Sequence, residues 1–208
     1  MPRSAEENQR IRDERREQII RAALKIFASK GVAATNISDI AAAANLSYGS
    51  IYHYFHDKDE LYYSLVERAI QGALYLINAV TERPGTAWER LQALCAEMIE
   101  GAQAAPEYYL IILQALVNEP PTSAVYTLAQ RYGEQILDHL AAAIQAAQDE
   151  GQVVQIDARE LASTLIAIIQ GASLNQTFYK QERQPIFARP SVATVLRILR
   201  PSIPAEEE

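Results

Sequence analysis

The sequence predicts an all-α fold, and three features of its 208 residues support this. Apolar residues recur at the 3.6-residue spacing of amphipathic helices along the chain. No segment alternates polar and apolar residues between two turn signals, as a half-buried strand does. Capping residues and Gly or Pro separate the periodic segments, so we predict several helices joined by short connections.

The first predicted helix spans residues 10–30. Ile20, Leu24 and Phe27 fall on one apolar stripe of this segment, and Gly31 follows it. Glycine is common just past a helix end because it adopts the left-handed conformation without strain.

Two short helices are predicted next, over residues 38–44 and 48–55, with the tight turn Asn45-Leu46-Ser47 between them. Ser47 is placed to cap the second helix. Three residues can cap the first, namely Thr35, Asn36 or Ser38. Three helices with a tight turn between the last two are typical of a helix-turn-helix domain, predicted here over residues 10–56.

A long connecting helix is predicted over residues 57–80, opened by Asp57 with Glu60 in the spacing of a capping box. The break Arg83-Pro84-Gly85 ends it, and Thr86 with Glu89 repeats the capping signature for the next helix.

A second, C-terminal helical domain is predicted over residues 81–200. Its helices are expected at about 88–102, 106–119, 123–150, 157–179 and 191–199. We expect a polar loop around Pro185 and Pro190, and a frayed tail after Pro201.

Composition excludes several classes of protein. Hydrophobic residues make up 49% of the chain and the net charge is -7, which is inconsistent with intrinsic disorder. One Cys cannot form an intramolecular disulfide. The polar, Arg-rich N-terminus lacks the apolar stretch of a signal peptide, and the uncharged run 161–179 is too polar to span a membrane. We therefore expect a cytoplasmic protein with no membrane contact.

The negative charge is confined to the later part of the chain. Residues 1–60 hold nine basic and nine acidic side chains, whereas the rest holds ten and seventeen. Arg10, Arg12, Arg15 and Arg16 lie close together in the neutral part. They form either a local basic face for nucleic acid or an ordinary solvated helix face.

The second short helix offers side chains suited to DNA. Tyr48, Ser50, Tyr52, His53 and Tyr54 can hydrogen-bond phosphate oxygens and base edges. Gly49 permits close approach of the backbone, and Lys58 at the next helix N-terminus can bind a phosphate. Ile51 and Phe55, spaced by four, are expected to pack inside.

Residues 31–61, GVAATNISDIAAAANLSYGSIYHYFHDKDEL, resemble the DNA-binding signature of the TetR family of transcriptional regulators. The matching positions are Gly31, Thr35, Ile40, Ala41, Ala44, Ser47, Gly49, Tyr52, Tyr54, Phe55, Lys58 and Leu61. The resemblance implies that Thr35, Ser38, Tyr52, Tyr54 and Lys58 contact phosphates, and that Tyr48, Gly49, Ser50 and His53 lie nearest the base edges.

Two positions depart from the family pattern. Asn45 stands where the turn usually has Gly, which is tolerable because Asn adopts the left-handed conformation more easily than most residues. Tyr48 stands where Lys, Arg or Pro is frequent, so sequence selection would depend on hydroxyl contacts, thymine methyl contacts or DNA shape.

The resemblance implies that the C-terminal domain binds a small-molecule effector and forms a homodimer. The expected dimer interface is a four-helix arrangement containing Leu161, Leu165, Ile168, Ala172, Val192 and Leu196. The expected pocket contains Trp88, Met98, Tyr108, Tyr109, Tyr126, Tyr132 and Gln170, although residues of these types are more often core residues than ligand contacts.

The implied function is a ligand-responsive regulator, preferably a repressor, that binds a double-stranded palindromic DNA operator as a dimer. A small apolar or amphipathic effector would shift the population of conformers, move the helix 57–80 and separate the recognition helices from half-sites roughly 34–36 Å apart. An alternative is a helical dimer that binds a small molecule or a protein without reading DNA.

Enzyme activity and metal binding find little support. The eight glycines are too far apart for a phosphate-binding loop, so no cofactor is expected. Cys95 lies on an apolar stripe, which indicates an inert core thiol. His53 and His56 are three residues apart, but no obvious third ligand accompanies them.

Overall fold

A computed structural model of the chain describes residues 5–180 and 190–201. The predicted all-α fold is confirmed, since these residues contain helices and no strand. The described helices are α1 (Ala5–Lys30), α2 (Ile37–Ala43), α3 (Tyr48–Ile51), α4 (Lys58–Thr81), α5 (Ala87–Ala104), α6 (Pro106–Asn118), α7 (Ala124–Asp149), α8 (Ala158–Lys180) and α9 (Val192–Leu199). The predicted loop around Pro185 and the tail after Pro201 lie outside the described residues.

Two predicted boundaries were wrong. α1 begins at Ala5 rather than Arg10, and Glu6 and Glu7 in its first turn favour this start because acidic side chains stabilise a helix N-terminus. α3 ends at Ile51 instead of Phe55. The chain continues as a hydrogen-bonded turn in which the Tyr54 and Phe55 amides donate to the Ile51 carbonyl at 2.9 and 3.0 Å.

The caps that local sequence predicted are formed. Thr86 Oγ1 accepts from the Glu89 amide at 3.1 Å, and the Glu89 carboxylate accepts from the Thr86 amide at 2.8 Å. Asp57 caps α4 by accepting from the Glu60 amide at 2.7 Å. The returning Glu60 carboxylate accepts from the His56 amide instead of the Asp57 amide. Asn36 is the N-cap of α2.

The core consists of two apolar clusters along the length of the molecule. The first joins α1–α3 and the first half of α4 to α6 and the start of α7, with Phe27, Ile51 and Ile111 among its buried members. The second joins the end of α4 to α5, α7, α8 and α9. Helix α6 therefore packs on the helix-turn-helix unit, although its sequence position is in the predicted C-terminal domain.

Candidate DNA-binding surface and ligand groove

Helices α2 and α3 are held by the predicted tight turn. Asn45 has φ 51°, the left-handed conformation that Asn adopts more easily than most residues. The Leu46 amide donates to the Ala41 carbonyl at 2.9 Å, and Ser47 Oγ caps α3 by accepting from the Ser50 amide at 3.2 Å. Ile51, on the inner side of α3, is fully buried. The turn thus fixes which side of α3 faces solvent.

The exposed side of α3 presents a pair of tyrosines. Tyr48 is 56% exposed and Tyr52 is 44% exposed, and their hydroxyl oxygens are 2.9 Å apart. The rings meet edge to face with centroids 5.2 Å apart. The hydrogen bond to Tyr48 raises the pKa of Tyr52 above its usual value. The pair therefore offers hydroxyl groups, which can donate and accept hydrogen bonds, to a partner on this face.

The other predicted contact residues differ in accessibility. Ser38, Ser47, Gly49 and His53 are exposed, whereas Ser50 and Tyr54 are half-buried. Tyr54 packs against the first apolar cluster, so its hydroxyl end is the part available for a partner.

Thr35 and Lys58 have structural contacts that sequence reasoning missed. The Thr35 side chain is 1% exposed and its hydroxyl donates to the Gly31 carbonyl at 2.7 Å, which corrects its placement on the contact surface. Lys58 Nζ donates to the carbonyls of Val32 and Thr35 at 2.9 and 3.2 Å. One ammonium N–H then remains for a phosphate. Backbone carbonyl partners leave no signal in the sequence.

The arginines of α1 form no uniform basic face. Arg10 pairs with Glu14 at 2.6 Å, and Arg16 lies over the Phe55 ring at 4.9 Å from its centroid. At the end of α1, Lys30 pairs with Asp39 at 3.5 Å. These contacts favour the solvated-face alternative for most of the charge run.

The residues predicted for the ligand pocket do not share one cavity in the structure. Tyr108 and Tyr109 line an open groove of about 550 Å³. Met98 instead lines a cavity of about 10 Å³ against α8 and α9. Trp88 is buried in the second cluster under the Arg200 guanidinium. The remaining three residues are half-buried and line neither the groove nor this cavity; they are Tyr126, Tyr132 and Gln170. Residue type and position in the middle helices suggested the seven residues, but the sequence does not show which helix faces leave space between them.

The groove lies between α4, the end of α5 and the start of α6. Its walls combine aromatic and small side chains: Ala69, Gly72, Ala73, Tyr75, Leu76, Gly101, Ala105, Tyr108, Tyr109 and Ile112, with the polar Arg68 and Gln71. Tyr109 donates its hydroxyl to the Met98 carbonyl at 3.2 Å, and burial raises its pKa. A Cβ added at Gly101 would lie 3.3 Å from that hydroxyl, so glycine leaves the room that the hydrogen bond needs.

The residues predicted for the dimer interface differ in their burial within the subunit. Leu161, Leu165 and Ala172 are buried inside the subunit because that stripe of α8 packs on α5, α6 and α7. The other three, Ile168, Val192 and Leu196, are half-buried against the second cluster. The outward residues of α8 are Thr164, Ala167, Gly171 and Leu174, beside the exposed Ile198 of α9.

The described residues contain no group of three His, Cys, Asp or Glu side chains able to hold a metal ion. Burial raises the pKa of the Cys95 thiol to about 12, which keeps it protonated and poorly nucleophilic. None of the helices in the described ranges is long and apolar enough to cross a membrane.

An all-helical chain with a helix-turn-helix and an exposed polar face on its second helix defines a class of DNA-binding proteins. Comparison with known families identifies the family to which this chain belongs. Residues 19–65 match the family model described as bacterial regulatory proteins, tetR family, and residues 87–200 match that of the BetI-type transcriptional repressor, C-terminal. The chain belongs to the TetR family of transcriptional regulators.

Individual relatives agree with this assignment. The transcriptional repressor KstR2 of Mycobacterium tuberculosis is 30% identical over 114 residues, which are 53% of this chain and 57% of KstR2. The regulator BetI of Burkholderia thailandensis is 29% identical over 170 residues, covering 77% of this chain and 80% of BetI. The solved structure of the MbdR regulator from Azoarcus sp. CIB superposes with a TM-score of 0.75 at 23% identity, covering 91% of this chain and 98% of MbdR.

Proposed function

We propose that the chain is a ligand-responsive repressor that binds a palindromic operator as a homodimer and is released by a small apolar or amphipathic effector. The single observation that best supports this function is the exposed Tyr48–Tyr52 pair on α3, held outward by the Ser47 cap and the buried Ile51. We assign no catalytic step to the chain and propose that it acts in the cytoplasm, where an operator would be accessible.

Contacts with DNA are assigned by position and exposure. We assign Tyr48, Gly49, Ser50 and His53 to the base edges, because they lie on or directly after the short helix α3. The phosphate contacts are assigned to Ser38, Ser47, Tyr52, Tyr54 and Lys58. Since α3 holds no Lys or Arg, base selection depends on hydroxyls, the His53 imidazole and thymine methyl contacts.

Dimerisation is assigned to the outward side of α8 and α9. Ala167 and Gly171 are small enough to let a partner helix approach closely, and Leu174 and Ile198 are exposed by 47% and 55%. A twofold axis through this surface would repeat α3 on both subunits, which matches two half-sites one helical turn or a little more apart.

The groove is assigned as the effector site. Helix α4 forms one of its walls and, at the other end, begins with Lys58 bound to the α1–α2 loop. A ligand that binds one conformer of the groove more tightly than another would therefore shift α4 and, with it, the position of α3.

Selection from random DNA duplexes by the purified full chain at moderate salt tests the function. We expect recovery of a palindrome whose half-sites lie about one helical turn apart, and a dimer by analytical ultracentrifugation at micromolar concentration. A folded chain that enriches no sequence, or that sediments only as a 23.1 kDa monomer, would contradict the proposal.

A further inference from the structure

Arg68 is the charged residue among the described side chains that line the groove, and its ion-pair partner lies outside the groove. Its guanidinium donates to the carboxylate of Glu17 on α1, 51 residues away in sequence. The side chains of Arg68 and Glu17 remain 43% and 36% exposed. The contact with Glu17 raises the pKa of Arg68, with a smaller contribution from Tyr108. The groove is thus joined to the helix-turn-helix unit by one ion pair.

Glu17 lies at the part of α1 that supports the helix-turn-helix. The next residue, Gln18, donates its side-chain amide to the Ala44 carbonyl at the end of α2. The preceding residue, Arg16, lies over the ring of Phe55, which follows α3. A displacement of α1 at Glu17 would therefore be transmitted directly to α2 and to the chain that follows α3.

Helix α6 provides a second connection between the same two regions. Its first turn contributes Tyr108 and Tyr109 to the groove. Further along, Gln114 donates to the Ala28 carbonyl of α1 at 3.2 Å, and the Ile111 carbonyl accepts from Tyr62 of α4 at 3.5 Å. A ligand in the groove thus touches two helices that both contact the DNA-binding half.

We propose, building on the proposed function, that the effector is an anionic amphipath whose carboxylate replaces Glu17 on Arg68 while its apolar tail occupies the groove. Release of Glu17 removes this ion pair between α1 and α4 and changes the position of α3. Arg68 then binds the ligand carboxylate, and loss of its contact with Glu17 couples this binding to α1.

The chemistry of the exchange favours this ligand class. Arginine binds carboxylates through a planar pair of N–H groups, so a ligand carboxylate fits the contact that Glu17 makes. A partly exposed ion pair contributes little to stability, which makes Glu17 displaceable. Burial of the tail against Leu76, Tyr108 and Ile112 supplies the binding free energy. A neutral amphipath gains only the tail contacts, and a cationic one also meets repulsion from Arg68.

Isothermal titration of the full chain with three matched probes tests the exchange. The probes are decanoate, 1-decanol and decyltrimethylammonium, used below their micelle concentrations. Arg68→Gln removes the charge, and Arg131→Gln removes an exposed arginine of α7 outside the groove as a control. Gly72→Phe places an aromatic ring at the groove wall, since Gly72 lines the groove and no atom lies within 4 Å of a Cβ added there.

We expect decanoate to bind at least about tenfold more tightly than 1-decanol, a preference lost in Arg68→Gln and kept in Arg131→Gln. Gly72→Phe should bind none of the probes. Glu17→Gln, which lacks the internal competitor, should bind decanoate more tightly than the natural chain. Equal binding of decanoate and 1-decanol, an unchanged preference in Arg68→Gln, or unchanged binding in Gly72→Phe would overturn the inference.

Operator binding separates this inference from the proposed function. Decanoate should weaken the affinity of the natural chain for its selected operator at least about fivefold, and 1-decanol at the same concentration should weaken it less. A chain that binds its operator but is unaffected by decanoate refutes the exchange and leaves the repressor assignment intact. A chain that selects no operator refutes the repressor assignment, while the titrations still decide whether Arg68 selects an anionic ligand.

Discussion

The surface of α3 and the groove between α4, α5 and α6 are built in opposite ways. The α3 surface is convex and rests on fully buried side chains, Ile51 and Phe55, with its two exposed tyrosines joined through their hydroxyls. The groove is concave, open to solvent and walled in part by glycine and alanine, with Tyr75 at its edge 77% exposed. A firmly supported surface suits recognition of a fixed partner, and a loosely filled one suits adjustment to a ligand. This difference makes several perturbations distinguishable.

Removal of the support under α3 should have the largest effect. We expect Phe55→Ala to lower the free energy of unfolding by about 3 to 5 kcal/mol, because a large buried ring leaves a cavity. Operator binding should fall with it. Tyr75→Ala at the groove edge is the matched aromatic control and should stay within about 0.5 kcal/mol. Urea unfolding measures both, and similar losses in the two variants would refute the contrast between the regions.

Loss of one hydroxyl from the exposed pair should affect recognition without affecting stability. Tyr48→Phe should weaken operator binding by about 1 kcal/mol, close to fivefold, because one hydrogen bond is lost. Tyr75→Phe, which removes a hydroxyl beside the groove, should leave operator affinity unchanged. Fluorescence anisotropy with the selected duplex measures both affinities. Equal affinities for the natural chain and Tyr48→Phe would exclude the hydroxyl of Tyr48 from DNA binding.

Alanine substitution at two glycines should change the stability of the protein in opposite directions. Gly72 lies within α4 with open space around it, so Gly72→Ala should stabilise the protein by about 0.5 to 1 kcal/mol. Gly31 ends α1 with φ +78°, where a side chain is strained, so Gly31→Ala should destabilise it. The melting temperatures of the two variants decide this. A rise for Gly31→Ala would show that the end of α1 adapts without strain.

The smallest expected effect is on the pH dependence of stability, through the His56–Asp57 contact at the start of α4. His56 Nδ1 lies 3.0 Å from the Asp57 carboxylate, and this hydrogen bond raises the pKa of His56 above its ordinary 6.5. The stabilisation by the His56–Asp57 contact is therefore fully present below pH 6.5 and is lost as the pH rises through the raised pKa of His56 in the folded state.

Asp57 remains ionised through this range, because the Glu60 amide and His56 lower its pKa. His56→Gln should therefore reduce the difference in melting temperature between pH 6 and pH 8 slightly. An identical pH dependence in the natural chain and the variant would show that the pair contributes nothing.

The sequence predicted the helix-turn-helix well because its determinants are local. The Ser47 cap and the Thr86–Glu89 box join residues three positions apart, and the left-handed Asn45 follows from its own side chain. Such interactions depend on spacing along the chain, which the sequence displays directly.

The groove and the exposed side of α8 could not be located from the sequence because their determinants are distant along the chain. The Arg68–Glu17 pair spans 51 residues, and no motif relates the two positions. Periodicity identified Leu161 and Leu165 as apolar positions of α8, but it could not show that α5, α6 and α7 cover that stripe. Only the packing of the helices shows which apolar faces remain open.

The most direct test of coupling between the two regions uses no ligand. Gly72→Phe places an aromatic ring in the groove, and Gly72→Ala provides the matched control with similar helix backbone restriction. Operator affinity of both variants should be measured by fluorescence anisotropy on the same duplex. If occupation of the groove moves α3, Gly72→Phe should bind the operator at least about fivefold more weakly than Gly72→Ala. Equal affinities of the two folded variants would contradict the coupling.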